Sequence, residues 1–220
     1  MALTQNSRTI LWQCLIGMVV SSLLLVIFAE ACAPAVPEPT STPPVVTAPQ
    51  PPPSPTPPVS QPAKWSADGV IGTGEYAGVK TFGDYEIRWA SDEEYVYIGM
   101  KAKTTGWVAV GIQPDSMMRD ADMVFGFVKD GKATVYDHFS TGAYGPHSSD
   151  TELGGKNDIL EYAGAEDGGY TIIEFKRALS AGDKYDQPIS KGANKIIWAY
   201  GSNDELKLKH ITRGYGEIDL

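Results

Sequence analysis

Cysteine is nearly absent from this sequence. Its two copies, Cys14 and Cys32, both lie near the beginning. All that follows therefore has no disulfide, no thiolate metal site and no CxxC attachment motif. Positive charge is scarce too. Eighteen Lys and Arg stand against 27 Asp and Glu, a net charge of −9, which makes nucleic acid and anionic membrane surfaces poor partners. No GxSxG, HExxH, P-loop or dinucleotide fingerprint occurs, so the signatures of the common hydrolases, NTPases and dehydrogenases are missing. Helical periodicity is almost lacking as well. Only FKRALSAGD (175–183) reads as a helical turn.

Proline and long apolar runs are both segregated. Ile10 to Ala29 is the one long apolar run; it follows a single basic residue, Arg8, and ends near small residues and Cys32. This is the pattern of a secretory signal. FAEAC resembles a bacterial lipoprotein cleavage site, which implies lipidation of Cys32, with Ala29 and Glu30 departing from the usual residues. An uncleaved N-terminal membrane helix is the alternative, and either reading exports the rest. All the prolines except Pro114, Pro146 and Pro188 fall between Pro34 and Pro62. Such a stretch cannot bury enough apolar surface to fold, and it favours extended polyproline II at about 3.1 Å per residue. The expected organisation is a signal peptide at 1–31, a Pro-rich tether at 32–64 and one domain at 65–220.

Within the domain, short alternating runs recur at 85–91, 95–103, 106–112, 122–128, 132–140, 158–165, 170–179 and 195–201, with turn residues between them. KDGK (129–132) is a hairpin signal. Strands at this spacing predict an all-β, immunoglobulin-like antiparallel β-sandwich and not a βαβ arrangement.

Candidate chemistry is sparse. Asp92-Glu93 and Asp120/Asp122 are expected to be solvated turn carboxylates, since no EF-hand spacing accompanies them. Met100 alternates with Val96 and Ile98 and is expected in the core. His138, beside Asp137, is expected to be a hydrogen-bonded strand residue, and His147 in YGPHSSD to face solvent. The loop PDSMMRDADM (114–123) is different, because two adjacent methionines have no role in turn chemistry. A thioether and an imidazole together can hold haem iron, the thioether raising its potential. Read singly, Met117 or Met118 could simply cap a core and His210 could lie on the surface. A copper site using these donors is disfavoured, because copper usually recruits more than one imidazole or a thiolate.

GWVAVGIQPDSMMRDADMVFGFV (106–128) and IIWAYGSNDELKLKHITRGYGEIDL (196–220) resemble the DOMON family of β-sandwich haem domains. Trp107, Ala109, Gly111, Met118, Ala121 and Asp122 match one family cluster in order; Trp198, Ala199, His210 and Gly214 match the other. The resemblance implies a non-covalent haem b held between Met118 and His210, walled by aromatics such as Trp107 and Trp198, with Arg213 and the nearby Lys207 and Lys209 near its propionates. The family often has glycine where this chain has Asp120, and Met117 competes with Met118. Some relatives are thought to bind sugars, so a cell-surface carbohydrate-binding module is the second expectation. The first is a lipid-anchored electron-transfer module, not a catalyst, meeting a dehydrogenase or another cytochrome as redox partner.

Overall fold

The computed structural model describes residues 64–180 and 182–220. The expected signal peptide, Cys32 and most of the tether lie outside them. Among the described residues no helix is long and apolar enough to cross a membrane.

Among the described residues eleven strands form two antiparallel sheets. The first sheet runs β1 (Gly78–Phe82), β2 (Tyr85–Ser91), β3 (Tyr95–Ala102), β9 (Tyr170–Ala178), β8 (Glu161–Asp167). The second runs β11 (Thr212–Asp219), β10 (Ala193–Tyr200), β4 (Val108–Ile112), β5 (Asp122–Lys129), β6 (Lys132–Ser140), β7 (His147–Ser149). A β-sandwich results, as the spacing of the runs predicts.

The core lies between the sheets and is built by alternation. Tyr85, Ile87 and Trp89 of β2 and Val96, Ile98 and Met100 of β3 face Val108, Val110 and Ile112 of β4 and Ile196 and Trp198 of β10. Each such side chain contributes roughly 1.5–3 kcal/mol by leaving water. Tyr85 also ties the sheets together, because its buried hydroxyl donates to the Ala109 carbonyl at 3.0 Å. The β5–β6 hairpin turns at Asp130 and Gly131, both at positive φ (53° and 73°), the conformation that makes Asp-Gly favourable there.

Three strands escape the sequence pattern. β1 is a largely exposed edge and β7 has three residues. β11 reads TRGYGEID, where glycines replace the expected apolar residues. A Cβ on Gly214 would lie 2.4 Å from the Trp198 ring and one on Gly216 2.4 Å from the Phe82 ring, so large core aromatics occupy that space. The helical reading of 175–183 is corrected: Phe175–Ala178 completes β9. The one helix among the described residues, α1 (Asp150–Leu153), is a single turn capped by Ser149, whose side chain accepts from the Glu152 amide, and closed by Gly154 at φ 89°.

Candidate functional site

A strand on the outside of a two-layer fold normally alternates buried and exposed. Every residue of β4 is buried. Its inward residues join the core, while its outward residues belong to a second apolar cluster of Trp107, Ala109, Ala121, Met123, Phe125 and Ile197, with Met118, Ala199 and Leu206 packed against it. The outer face of the six-stranded sheet is thus apolar, and loops cover it in place of a third layer.

Strand register fixes what this face presents. One row across it is Arg213, Ala199, Ala109, Phe125 and Tyr136; the next is Tyr215, Ile197, Gly111, Met123 and His138. The middle is therefore floored by two alanines and a glycine, with bulkier groups on either side. Gly111 keeps that floor low, since a Cβ there would lie 2.7 Å from Cγ1 of Ile197. Above it opens a cleft of about 440 Å³, within the range of small-ligand sites.

Met118 and His210, ninety-two positions apart, both line this cleft. The loop carrying the methionines is a tight turn. The Arg119 amide donates to the Ser116 carbonyl at 3.0 Å, and the Met118 amide ties the turn to the neighbouring loop at the Ala143 carbonyl, 3.2 Å away. Met117 sits at φ 57° and Asp120 at φ 58°. Asp120 thus holds the left-handed conformation that glycine adopts freely and aspartate tolerates, which accounts for the departure from the family pattern. Met117 is 41% exposed and its sulfur accepts from the Tyr215 hydroxyl at 3.1 Å. Met118 packs against the apolar floor.

His210 is half-buried. Burial, then the charges of Arg213 and Lys209, hold its pKa below the ordinary value, a shift toward the neutral form in which imidazole binds metals. Arg213, Lys207 and Lys209 line the same cleft and place positive charge beside an apolar slot in an acidic protein. Trp107 lines it as well, and its buried indole N–H has no acceptor among the described residues. Trp198 borders the cleft, but its ring lies in the core, stacked on Phe82 (5.3 Å) and Tyr85 (4.9 Å). Its expected place as a wall for a bound ligand is corrected to a support beneath the floor.

Other expectations change. The cleft lies on the outer face of one sheet, not at an end of the sandwich. His147 is half-buried against Phe125, ring centroids 4.8 Å apart, and lines the cleft. The cis Gly145–Pro146 bond precedes it, and nothing in YGPHSSD distinguishes that placement from an exposed loop. His138 is a strand residue whose Nδ1 lies 3.4 Å from Nδ1 of His147; burial and then His147 lower its pKa to about 4. Asp122 is not a solvated turn carboxylate. It is fully buried and pairs with Arg177, which is itself buried.

The family profile described as the DOMON domain matches residues 81–201. The chain belongs to the DOMON family. It is similar to MOXD1 homolog 1 of Drosophila melanogaster, 31% identical over 135 residues, covering 57% of this chain and 18% of that protein. It is also similar to DBH-like monooxygenase protein 1 of Homo sapiens, 33% identical over 122 residues, covering 56% and 19%. The match thus spans about a fifth of these relatives' length. Among solved structures it is similar to the cytochrome b domain of pyranose dehydrogenase from Coprinopsis cinerea, with a TM-score of 0.48 and 12% identity over 62% of this chain and 76% of that one. The cytochrome domain of Myriococcum thermophilum cellobiose dehydrogenase gives 0.47 and 13% over 62% and 74%.

Proposed function

We propose that this protein is an exported haem b module that relays single electrons, anchored to a membrane through a lipidated Cys32. One observation carries the reading: a thioether and an imidazole, on loops far apart in sequence, border one apolar cleft whose floor is built of the smallest side chains. The residues present fit a flat, mostly apolar macrocycle with acidic substituents. Ala199, Ala109 and Gly111 leave room for a ring to lie on the sheet, and Phe125, Met123 and Ile197 supply apolar contact. Met118 and His210 would ligate the iron, and Arg213, Lys207 and Lys209 would meet its propionates by charge-assisted hydrogen bonds.

Bound there, haem would supply a one-electron iron couple whose potential a thioether ligand raises. The protein's own part would be to shield the group from water with the covering loops and to hold its iron through Met118 and His210, which would leave no ligand position for a substrate. It is on this reading a relay and not a catalyst. The names of the monooxygenase relatives do not argue against it, because the match covers only about a fifth of them. A Pro-rich tether behind the lipid anchor would hold the domain in an extracytoplasmic space, where a dehydrogenase or another cytochrome is the redox partner. A tether raises the effective concentration for such encounters and surface charge steers them.

The test is the spectrum of the full chain purified from cells supplied with haem. A Soret band and a six-coordinate b-type reduced spectrum are expected; Met118→Ala and His210→Ala should each abolish the six-coordinate pattern, and Met117→Ala should leave it. A colourless protein that binds glycans would replace this reading with the carbohydrate-binding one.

A further inference from the structure

Away from the cleft, five aspartates converge where β6, α1 and the 183–187 loop meet. Oxygens of Asp137, Asp150 and Asp186 lie within 4.8 Å of one another, as do those of Asp158, Asp183 and Asp186. The two triads share Asp186. Asp122 stands beside them, and among the described residues Arg177 makes the only ion pairs to the group, with Asp122 and, at 3.8 Å, with Asp186.

Acidic clusters are common, but Asp137, Asp150 and Asp186 are buried and the group is set in place. Asp150 is only 1% exposed, and neither of its carboxylate oxygens has a hydrogen-bond partner. Asp158 keeps one buried oxygen without a hydrogen-bond partner, and the buried Oδ1 of Asp186 has no hydrogen bond, only the Arg177 guanidinium at 3.8 Å. Backbone amides fix other oxygens of the group: Asp186 accepts from Gly182 (3.0 Å) and Asp183 (2.7 Å), Asp137 from Asp158 (2.8 Å), and the two oxygens of Asp183 from Lys156 (2.9 Å) and Tyr185 (2.9 Å). A buried carboxylate oxygen without a partner is costly unless a cation meets it. One guanidinium does not balance six carboxylates.

We infer that Asp137, Asp150 and Asp186, with Asp158 and Asp183 at the solvent side, form a structural calcium site. Hard oxygen donors exclude the soft metals. Calcium takes six to eight oxygens at about 2.3–2.6 Å in irregular geometry, which puts opposite ligands at most about 5 Å apart, whereas Mg²⁺ demands a tighter octahedron. Asp158 and Asp183 are half-buried and give the ion a route in. Occupation would tie β6 to α1 and the 183–187 loop, and α1 directly follows the β7 strand that begins at His147 in the cleft wall. The inference does not depend on haem.

The test is thermal unfolding and calorimetric titration of the EDTA-treated full chain with CaCl₂ and, separately, MgCl₂. One saturable Ca²⁺ equivalent is expected, with Tm rising by about 5–10 °C at a hundredfold excess over Kd. Asp150→Asn is the diagnostic variant because it keeps the shape and removes a buried charge. In EDTA it should match or exceed the parent's Tm; in Ca²⁺ it should fall below it, with affinity reduced at least tenfold. Glu93→Gln, on the surface, should respond to Ca²⁺ as the parent does. No heat and no Tm shift with Ca²⁺, a shift with Mg²⁺ alone, or Asp150→Asn changing Tm by the same amount in both buffers would overturn the assignment.

Discussion

Arg177→Met is the sharpest probe of how this fold tolerates charge. The Arg177 side chain is 2% exposed and the Asp122 side chain 0%. Nη1 donates to Oδ2 of Asp122, and Nη2 donates to the Gln187 carbonyl at 3.2 Å. Asp122 Oδ2 also accepts from the Gln187 amide at 2.9 Å, so three elements meet at one ion pair. Burial opposes the charge on Arg177, but Asp122, Asp186 and Asp137 outweigh it and its pKa rises. Burial is also the main influence on Asp122, whose carboxyl is pushed up. Methionine fills much of the same volume but leaves Asp122 with one amide and several acidic neighbours. The expected cost is about 3–5 kcal/mol, a fall in Tm on the order of 6–20 °C for a domain of this size. Urea unfolding in EDTA, which keeps divalent ions out of the comparison, should show the midpoint falling with an unchanged slope. Replacing both partners, Asp122→Leu with Arg177→Met, should recover most of the loss, because the penalty belongs to the unpaired charge. A single-variant cost below about 1 kcal/mol, or a double variant as unstable as the sum of the singles, would refute the reasoning.

The floor of the cleft can be tested apart from the core. Gly111→Val should abolish haem incorporation, read from the Soret band, while circular dichroism stays that of a β-sandwich and stability drops by about 1–3 kcal/mol from the contact with Ile197. Gly216→Val should do the reverse, costing a similar amount through the Phe82 ring while sparing the spectrum of whatever protein folds. Tyr215→Phe, which releases the exposed Met117 sulfur, should change stability by less than about 0.5 kcal/mol in urea unfolding and leave the haem spectrum as it was.

Strands that alternate apolar and polar residues could be read directly from the sequence, and so could the Asp-Gly hairpin. β11 could not, because two of its inward positions, Gly214 and Gly216, are glycines, and a glycine chosen to admit a tryptophan ring looks like a turn residue until the ring is seen. The resemblance singled out Met118 and His210, and the structure sets both on one cleft. Trp198 was misplaced because its direction depends on strand register, and a one-residue difference decides which face a side chain takes. The same limit concealed Met123 beside the floor and Asp122 as a buried ion-pair partner. His147 was missed for another reason: its burial comes from loop packing, which leaves no period in the sequence.

Because neighbours along β4 look in opposite directions, five residues carry two interleaved instructions. Val108, Val110 and Ile112 speak to the interior, while Ala109 and Gly111 speak to whatever lies outside. Substitutions can rewrite either instruction without disturbing the other, so one scaffold can change its guest and keep its shape. Inserting or deleting a single residue in that strand would exchange the two and erase both at once.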